Sequence, residues 1–341
     1  LTPAPRTKAA TIRDVASAAG VSVGTVSKVL NNTGTIAKAT RERVIEVARS
    51  MNFRPNSLAK SLHTGLSGSI GLISNDSFGR FTMPIMEGLE AVLAEHAIGV
   101  FMSNATDDPE LEQRHIDQLL AKQVDGIVVT ARRADRRPPV DLRGVGIPVV
   151  YVFSNAEDRD ALTLLPDDEG GGKLAVDHLV AQGRKRIAHV TGPQDFVAVS
   201  LRASGYLAAL EDAGLDAMPV MHGPWSEAWG REAASQLLDR GEVPDAVLCG
   251  NDQIGRGCVE AFRDAGHRVP EDIAIIGFDN WPVMTDACRP PLSSVDLQLT
   301  ELGQEAGRRL LAMIGGERQT GTIRLPCRLE LRGSTERAAL P

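Results

Sequence analysis

Aromatic residues are scarce here: eight Phe, three Trp and two Tyr in 341 residues. Cysteine is scarcer still. Cys249, Cys258, Cys288 and Cys327 lie scattered with no C-x-x-C pair, which argues against a disulfide framework or a zinc site and fits reduced thiols. Long apolar runs are missing too, and without about 18 consecutive apolar residues no membrane-spanning helix is expected. The opening LTPAPRTKAATIRD lacks the apolar core of a signal peptide, so the expectation is a cytoplasmic protein. The seven histidines are dispersed without metal-ligand spacing, and there is no G-x-S-x-G elbow. Glu169-Gly170-Gly171-Gly172-Lys173-Leu174 lacks the first glycine and the Ser/Thr of a phosphate loop. Gly255-x-Gly257 has Glu260 where a dinucleotide motif needs its third glycine. The expectation is a protein that is not an enzyme, with no catalytic residues, no cofactor and no metal.

What is present fits a folded chain. Hydrophobic residues make up 43%, and at about 150 residues per domain the length suggests two or three domains. The net charge of −7 would argue mildly against a nucleic-acid partner if it were evenly spread. It is not. Residues 1–66 carry ten basic and three acidic side chains, a net of +7, and the remainder carries 27 and 41, a net of −14. A small basic head on a large acidic body suggests that the head alone meets a polyanion.

The head has helical punctuation rather than the look of a solvated tail. Thr11-x-x-Asp14 is a capping-box pattern, and Ile12, Val15, Ala16 and Ala19 then repeat on one face. Gly20-Val21-Ser22 breaks that helix. A short second helix follows at Val23–Leu30, with Val26, Val29 and Leu30 inward and Val23, Gly24, Thr25, Ser27 and Lys28 outward. A third begins near Thr40 and buries Val44, Ile45, Val47, Ala48 and Met51. Two helices around a glycine turn, the second exposing hydroxyls and a lysine, form a helix-turn-helix pattern suited to the major groove. Ordinary helix solvation also accommodates Thr25, Ser27 and Lys28. Arg54–Leu62 has proline in a first turn and Leu58, Ala59 and Leu62 on one side, but is too short to persist alone in water. It reads as a linker that becomes helical only when packed.

IRDVASAAGVSVGTVSKVLNN and TRERVIEVARSMNFRPNSLAKSLHTG resemble the DNA-binding head of the lac repressor (LacI/GalR) family of bacterial regulators. The resemblance places Val23, Gly24 and Lys28 at base-reading positions and Thr11, Ser22, Thr25, Ser27 and Asn31 at phosphate contacts. Gly24 departs from the family by offering no side chain, which leaves Lys28 as the main polar base contact, typically to guanine. The resemblance also makes residues 54–62 a hinge helix that lies in the minor groove with Asn56, Ala59 and Leu62, Leu62 wedging between base pairs.

Beyond Gly65 the chain alternates strands and helices. Strands are expected at Ser69–Ser74, Gly99–Ser103, Gly126–Thr130, Val149–Phe153, Arg186–Thr191, Ala246–Cys249 and Ile273–Gly277, with helices such as Met83–His96 and Glu110–Lys122 between them. The pattern restarts after Gly183. This predicts an α/β body of two doubly wound parallel sheets, with ligands outside the carboxyl ends of the strands. The scarce aromatics fall in those connections: Phe78 and Phe81 after the first strand, Trp225 and Trp229 after Val220–His222, Phe278 and Trp281 after the last. Arg202, Asn251, Asp252, Asp279 and Asn280 lie among them. Aromatic faces beside Asp, Asn and Arg suit a small polar ligand with apolar C–H faces, such as a sugar. Helix capping by Asp252 and lobe packing by Trp229 are the plainer readings of those two. Arg132, Arg133, Arg136 and Arg137 crowd one loop, as a solvated surface or a site for an anion.

GLISNDSFGRF, SLRASGY, GPWSEAWG, VLCGND and IIGFDNW resemble the motifs lining the effector cleft of the same family, whose body resembles periplasmic sugar-binding proteins. The resemblance implies Arg202, Trp225, Asn251 and Asp279 as effector-binding residues and Phe81 as an aromatic at the cleft mouth; Phe78 and Trp281, aromatics that follow strands, complete the expected effector-binding set. Phe153 and Leu297 depart from it, standing where some sugar-responsive members place Asp and Gln. The expected organisation is a head at 1–53, a hinge and linker at 54–67, a two-lobed body at 68–333 and a tail at 334–341. Lobe 1 takes about 68–166 and 297–322, lobe 2 about 167–296 and 323–333. The implied function is a homodimeric repressor of carbohydrate uptake or catabolism genes, with double-stranded operator DNA and a mono- or oligosaccharide effector as partners. A non-sugar or anionic effector (nucleobase, sugar phosphate) is the alternative, followed by a cytoplasmic sugar-binding protein or enzyme on the same lobes. GSTERAALP shows no leucine heptad for a tetramerising coiled coil.

Overall fold

The computed structural model describes residues 10–30, 33–53, 65–106, 108–134, 142–156, 160–241 and 243–336. Contacts divide the chain into two compact units, residues 1–67 and 68–341. In the first, helix α1 spans Ile12–Ala19, α2 Val23–Leu30 and α3 Lys38–Ser50. Thr11 opens α1 with a full capping box. The Asp14 N–H donates to the threonine hydroxyl at 3.3 Å, and the Thr11 N–H donates to the Asp14 carboxylate at 2.7 Å. Donors that the first turn leaves unpaired are thereby satisfied. Gly20 ends α1 at φ +62°, a left-handed conformation that costs glycine little. Ser22 caps α2 by accepting the Thr25 N–H at 3.1 Å. Val15, Ala16, Ala19, Val26, Val29, Val44 and Ala48 make the core, flanked by the partly buried Leu30, Ile45, Val47 and Met51. Helix α3 starts two residues before Thr40, and Ala37 offers it no side-chain cap, so no capping signal marks its start. The hinge-helix expectation, with Asn56, Ala59 and Leu62, lies outside the described residues, as does Asn31.

The second unit holds two six-stranded sheets of matching design. The first contains β1 (Ser69–Ser74), β2 (Gly99–Asn104), β3 (Gly126–Thr130), β4 (Val149–Val152), β5 (Leu162–Pro166) and β11 (Gly321–Leu325), in the order β11-β5-β4-β3-β1-β2. The second contains β6 (Ile187–Thr191), β7 (Met221–His222), β8 (Ala246–Cys249), β9 (Ala274–Phe278), β10 (Ser293–Asp296) and β12 (Arg328–Glu330), in the order β12-β10-β9-β8-β6-β7. All neighbours are parallel except β10 and β12. Strands buried at every residue, such as β1, β3 and β6, have helices over both faces. The helices are α4 (Thr82–Ala94), α5 (Pro109–Ala121), α6 (Asp168–Ala181), α7 (Val197–Ala213), α8 (Glu227–Asp239), α9 (Asp252–Asp264), the short α10 (Pro282–Thr285) and α11 (Leu299–Ile314). No described helix is long and apolar enough to cross a membrane.

The chain passes between the lobes three times: after β5, after β10 and between β11 and β12. The third passage falls later than the expected 322/323, because β11 pairs with β5 through Leu325 opposite Pro166. A tail beginning at 334 is also corrected. Ser334 and Thr335 are buried, the Ser334 hydroxyl donates to the Ile275 carbonyl at 2.6 Å, and it accepts the Ser293 N–H at 2.8 Å. Both near-miss glycine motifs are packing points inside helices. A Cβ on Gly171 would lie 2.8 Å from the Phe278 ring, and one on Gly172 would lie 2.5 Å from the Arg202 carbonyl oxygen. A Cβ on Gly257 would collide with the Glu227 carbonyl, where α9 crosses α8. These glycines let neighbouring elements approach closely.

Candidate functional site

In both sheets the strand order reverses beside the first strand, so each lobe has its switch point between β1 and β3 or between β6 and β8. Ligands bind such sheets outside the carboxyl ends at that point. In lobe 2 the loops there assemble a dense polar cluster around Arg202 of α7. Its Nε and Nη2 reach the Asp168 carboxylate at 2.8 Å each, Nη1 donates to the Gly250 carbonyl at 2.6 Å, and Nη2 lies 3.6 Å from Asp279. The guanidinium also covers the Phe278 ring at 3.8 Å. Burial works against its charge, but Asp168 and Asp279 outweigh that and raise its pKa. For Asp168 burial is the larger effect, and its pKa is raised despite Arg202.

Asn251 caps α9, its Oδ1 accepting the Ile254 N–H at 2.9 Å. Asp252, one residue on, accepts the Ser294 hydroxyl at 2.5 Å and the Trp281 N–H at 2.6 Å. Neither contact is a helix cap, so the capping reading of Asp252 is replaced by a role holding the Trp281 loop. Burial, then the charge of Asp279, pushes the Asp252 carboxyl up to about 7. The folded state therefore keeps a proton that the unfolded chain has lost, over the window from an ordinary carboxylate value near 3.8 to about 7. Stability from this group falls as pH rises through that window. Buried His189, pulled down to about 4 by desolvation, pushes the other way between 4 and its ordinary 6.5. Comparison with Asp252→Asn isolates the carboxyl. Denaturant midpoints at pH 5 and pH 7.5 should show the wild type losing ground to the variant at the higher pH; parallel profiles would refute this.

Lobe 1 contributes a wall of different character. Phe81 and Phe153 stack at 4.7 Å between ring centroids. Arg80 reaches across to lobe 2, where it pairs with Asp279 and lies 4.4 Å over Trp281. On the other rim Arg133 pairs with Asp195 at 3.5 Å and covers Phe196 at 3.4 Å, and Phe196 meets Trp225 edge-on at 5.5 Å. Non-glycine residues just beyond strand ends take positive φ, among them Phe153 (+51°), Asp279 (+96°), Asn280 (+51°) and Gln298 (+54°). Such backbone costs of order 1–3 kcal/mol each and concentrates at ligand clamps.

The structure thus gathers Phe81, Arg202, Asp279 and Trp281 into one cross-lobe cluster, with Asn251 and Trp225 on the lobe 2 side. Phe78 stands apart at 97% exposed, because it rides the turn in which the Gly79 N–H closes on the Asp76 carbonyl. Leu297 is buried in the core, and Trp229 is a packing residue whose indole N–H donates to the Thr191 carbonyl at 3.0 Å. Asn280 is held by Asp296 and Arg332. Arg136 and Arg137 lie outside the described residues. Sequence reasoning missed Arg80, Gln253 and Asp168. A cation flanked by glycine and phenylalanine in the first loop was the available signal for Arg80.

In the head, α2 presents Val23 (42% exposed), Gly24 and Lys28 to solvent, with Thr25 and Ser27 half-buried. The Thr25 and Ser22 hydroxyls bond each other at 3.0 Å, and Thr11 donates its hydroxyl to Asp14 at 2.7 Å. Three hydroxyls expected at phosphates therefore also hold the helix starts.

Residues 11–56 match the model for the lacI family of bacterial regulatory proteins, and 176–335 match a periplasmic binding protein-like domain. The HTH-type transcriptional repressor CytR of Escherichia coli (strain K12) is 32% identical over 336 residues, covering 98% of each chain. The chain belongs to the lacI family of bacterial regulatory proteins. The lac repressor dimer bound to operator and the anti-inducer ONPF has a similar structure, with a TM-score of 0.75 at 29% identity, covering 96% of this chain and 99% of that one. A complex of the regulator CelR with cellobiose gives 0.66 at 29% identity, covering 95% and 99%. This lacI-family protein is a ligand-responsive DNA-binding repressor and not an enzyme.

Proposed function

We propose that the protein is a cytoplasmic homodimer that binds a roughly palindromic operator through α2 and the following hinge, under the control of a neutral, sugar-like effector held by Phe81, Arg202, Trp225, Asn251, Asp279 and Trp281. The observation that carries this reading is the asymmetry of the cleft. Hydrogen-bonding groups converge on lobe 2 around Asp279 and Arg202, while lobe 1 offers the stacked rings of Phe81 and Phe153. A sugar ring has hydroxyls for one side and C–H faces for the other. A nucleoside is the second reading, favoured by the planar guanidinium of Arg80, which already lies against the rings of both Phe81 and Trp281. An anionic effector fits poorly, since Asp168, Asp252 and Asp279 crowd the floor and Arg202 is already paired. CelR bound to cellobiose supports the saccharide class, and the lac repressor dimer on operator supports a dimer on DNA.

A bound effector raises stability by mass action. A thermal-shift panel of mono- and disaccharides, nucleosides and sugar phosphates is expected to give upward shifts with neutral compounds. Shifts confined to the phosphates would overturn the neutral-effector reading. For the head, Lys28→Ala should reduce discrimination at one operator position by about 1–3 kcal/mol, whereas Thr25→Ala should weaken all sequences alike. Binding assays on an operator and single-base variants would show it, and equal losses on every sequence for Lys28→Ala would count against base reading.

A further inference from the structure

Asp279 faces two guanidinium groups that are held in opposite ways. Arg202 has Nε, Nη1 and Nη2 all engaged, by Asp168, Gly250 and Asp279, within its own lobe. Arg80 comes from the other lobe. Its Nη2 pairs with Asp279, its Nη1 reaches Gln253 only at 3.4 Å, and its buried Nε finds no acceptor among the described residues. Its Cζ lies 5.0 Å from the Phe81 ring centroid and 4.4 Å from that of Trp281, at separations where a cation and a ring face attract. A buried N–H left unpaired destabilises this arrangement, so the fold supports Arg80 less completely than Arg202. The side chain is nevertheless only 14% exposed.

Resting on the reading of this cleft as the effector site, we propose that Arg80 is a resident occupant of it. Its guanidinium holds the place that the donor edge of the effector takes against Asp279, and it keeps the empty cleft closed. A group that replaces it must be neutral or cationic, must present N–H or O–H donors to a carboxylate, and must have flat or C–H faces for Phe81 and Trp281. A sugar diol or the amino edge of a nucleobase meets these terms, and a phosphate does not. Arg80 therefore sets specificity as well as lobe closure. An effector that has to displace it binds with an apparent affinity lowered by the fraction of time the slot is filled.

The test needs no effector. In the full-length, ligand-free protein, Arg80→Ala should uncover Trp281, seen as increased acrylamide quenching of tryptophan fluorescence, and should enlarge the particle in solution scattering. Millimolar guanidinium chloride should reverse both changes in Arg80→Ala and leave the wild type unaltered. Arg80→Lys, which keeps the charge but loses the flat stack, should lie between them and serves if the alanine variant fails to fold. Quenching and scattering unchanged in the variants, or no response of the opened variant to guanidinium, would overturn the proposal. A wild type that responds to no compound of the thermal-shift panel would instead fault the effector reading.

Discussion

Raising monovalent salt from 50 to 200 mM is expected to weaken operator binding by about 10³–10⁵-fold, the range for six to ten neutralised phosphates. The expectation follows from where the charge lies. The head, residues 1–66, carries +7 and the rest of the chain −14, so the long-range attraction to the duplex is expected from the head. Two heads on one operator supply enough cations for that number of phosphates. Effector binding should barely change over the same range, because Arg202 and Asn251 are buried and Arg202 is already paired with a carboxylate. Anisotropy titrations of labelled operator across salt concentrations give the slope directly. A shallow dependence of operator binding would contradict a head-borne electrostatic interaction, and a steep dependence of effector binding would point to an exposed ionic site.

Arg202→Met is the second change with a large consequence. Removing one partner of a buried ion pair costs about 3–5 kcal/mol, since the other charge is left buried and unpaired. Here that group is Asp168, only 2% exposed and already raised in pKa by burial. The Gly250 carbonyl loses its 2.6 Å donor at the same time. The variant should unfold at markedly lower urea concentration and lose effector response. Adding Asp168→Leu should recover much of the stability, because the stranded carboxylate is gone, but none of the response. A single variant as stable as the wild type would show that the pair is not the framework of the cleft.

Much of this architecture is legible in the residues. The bounds of β1, β3 and β8 are readable to the residue because these strands are short apolar runs bounded by turn residues, and those of α2 because glycine and serine frame it. Asn251 and Asp279 stand out because they directly follow apolar strands, where ligands bind an α/β sheet, and Arg202 because it is a lone cation among the apolar and small residues of its helix. β10 was illegible, since Ser293-Ser294-Val295-Asp296 reads as a polar loop. Its burial depends on the Ser294 bond to Asp252 and the Ser293 bond to Ser334, partners 42 and 41 residues away. The Arg80–Asp279 pair is hidden for the same reason: its members are 199 positions apart, and only the lobes bring them together. Phe78 misled in the other direction, because a local turn decides whether a ring beside a cleft enters it.

Under the proposed function, occupancy of the cleft governs the grip of the head on DNA. The direct measurement is operator affinity of the full-length protein with and without a saturating amount of the compound that gives the largest thermal shift. The wild type should change its affinity by about 5–150-fold, the usual range of a coupling free energy between sites, and Asp279→Asn should bind operator without responding. Identical operator affinities at saturating ligand would contradict the account.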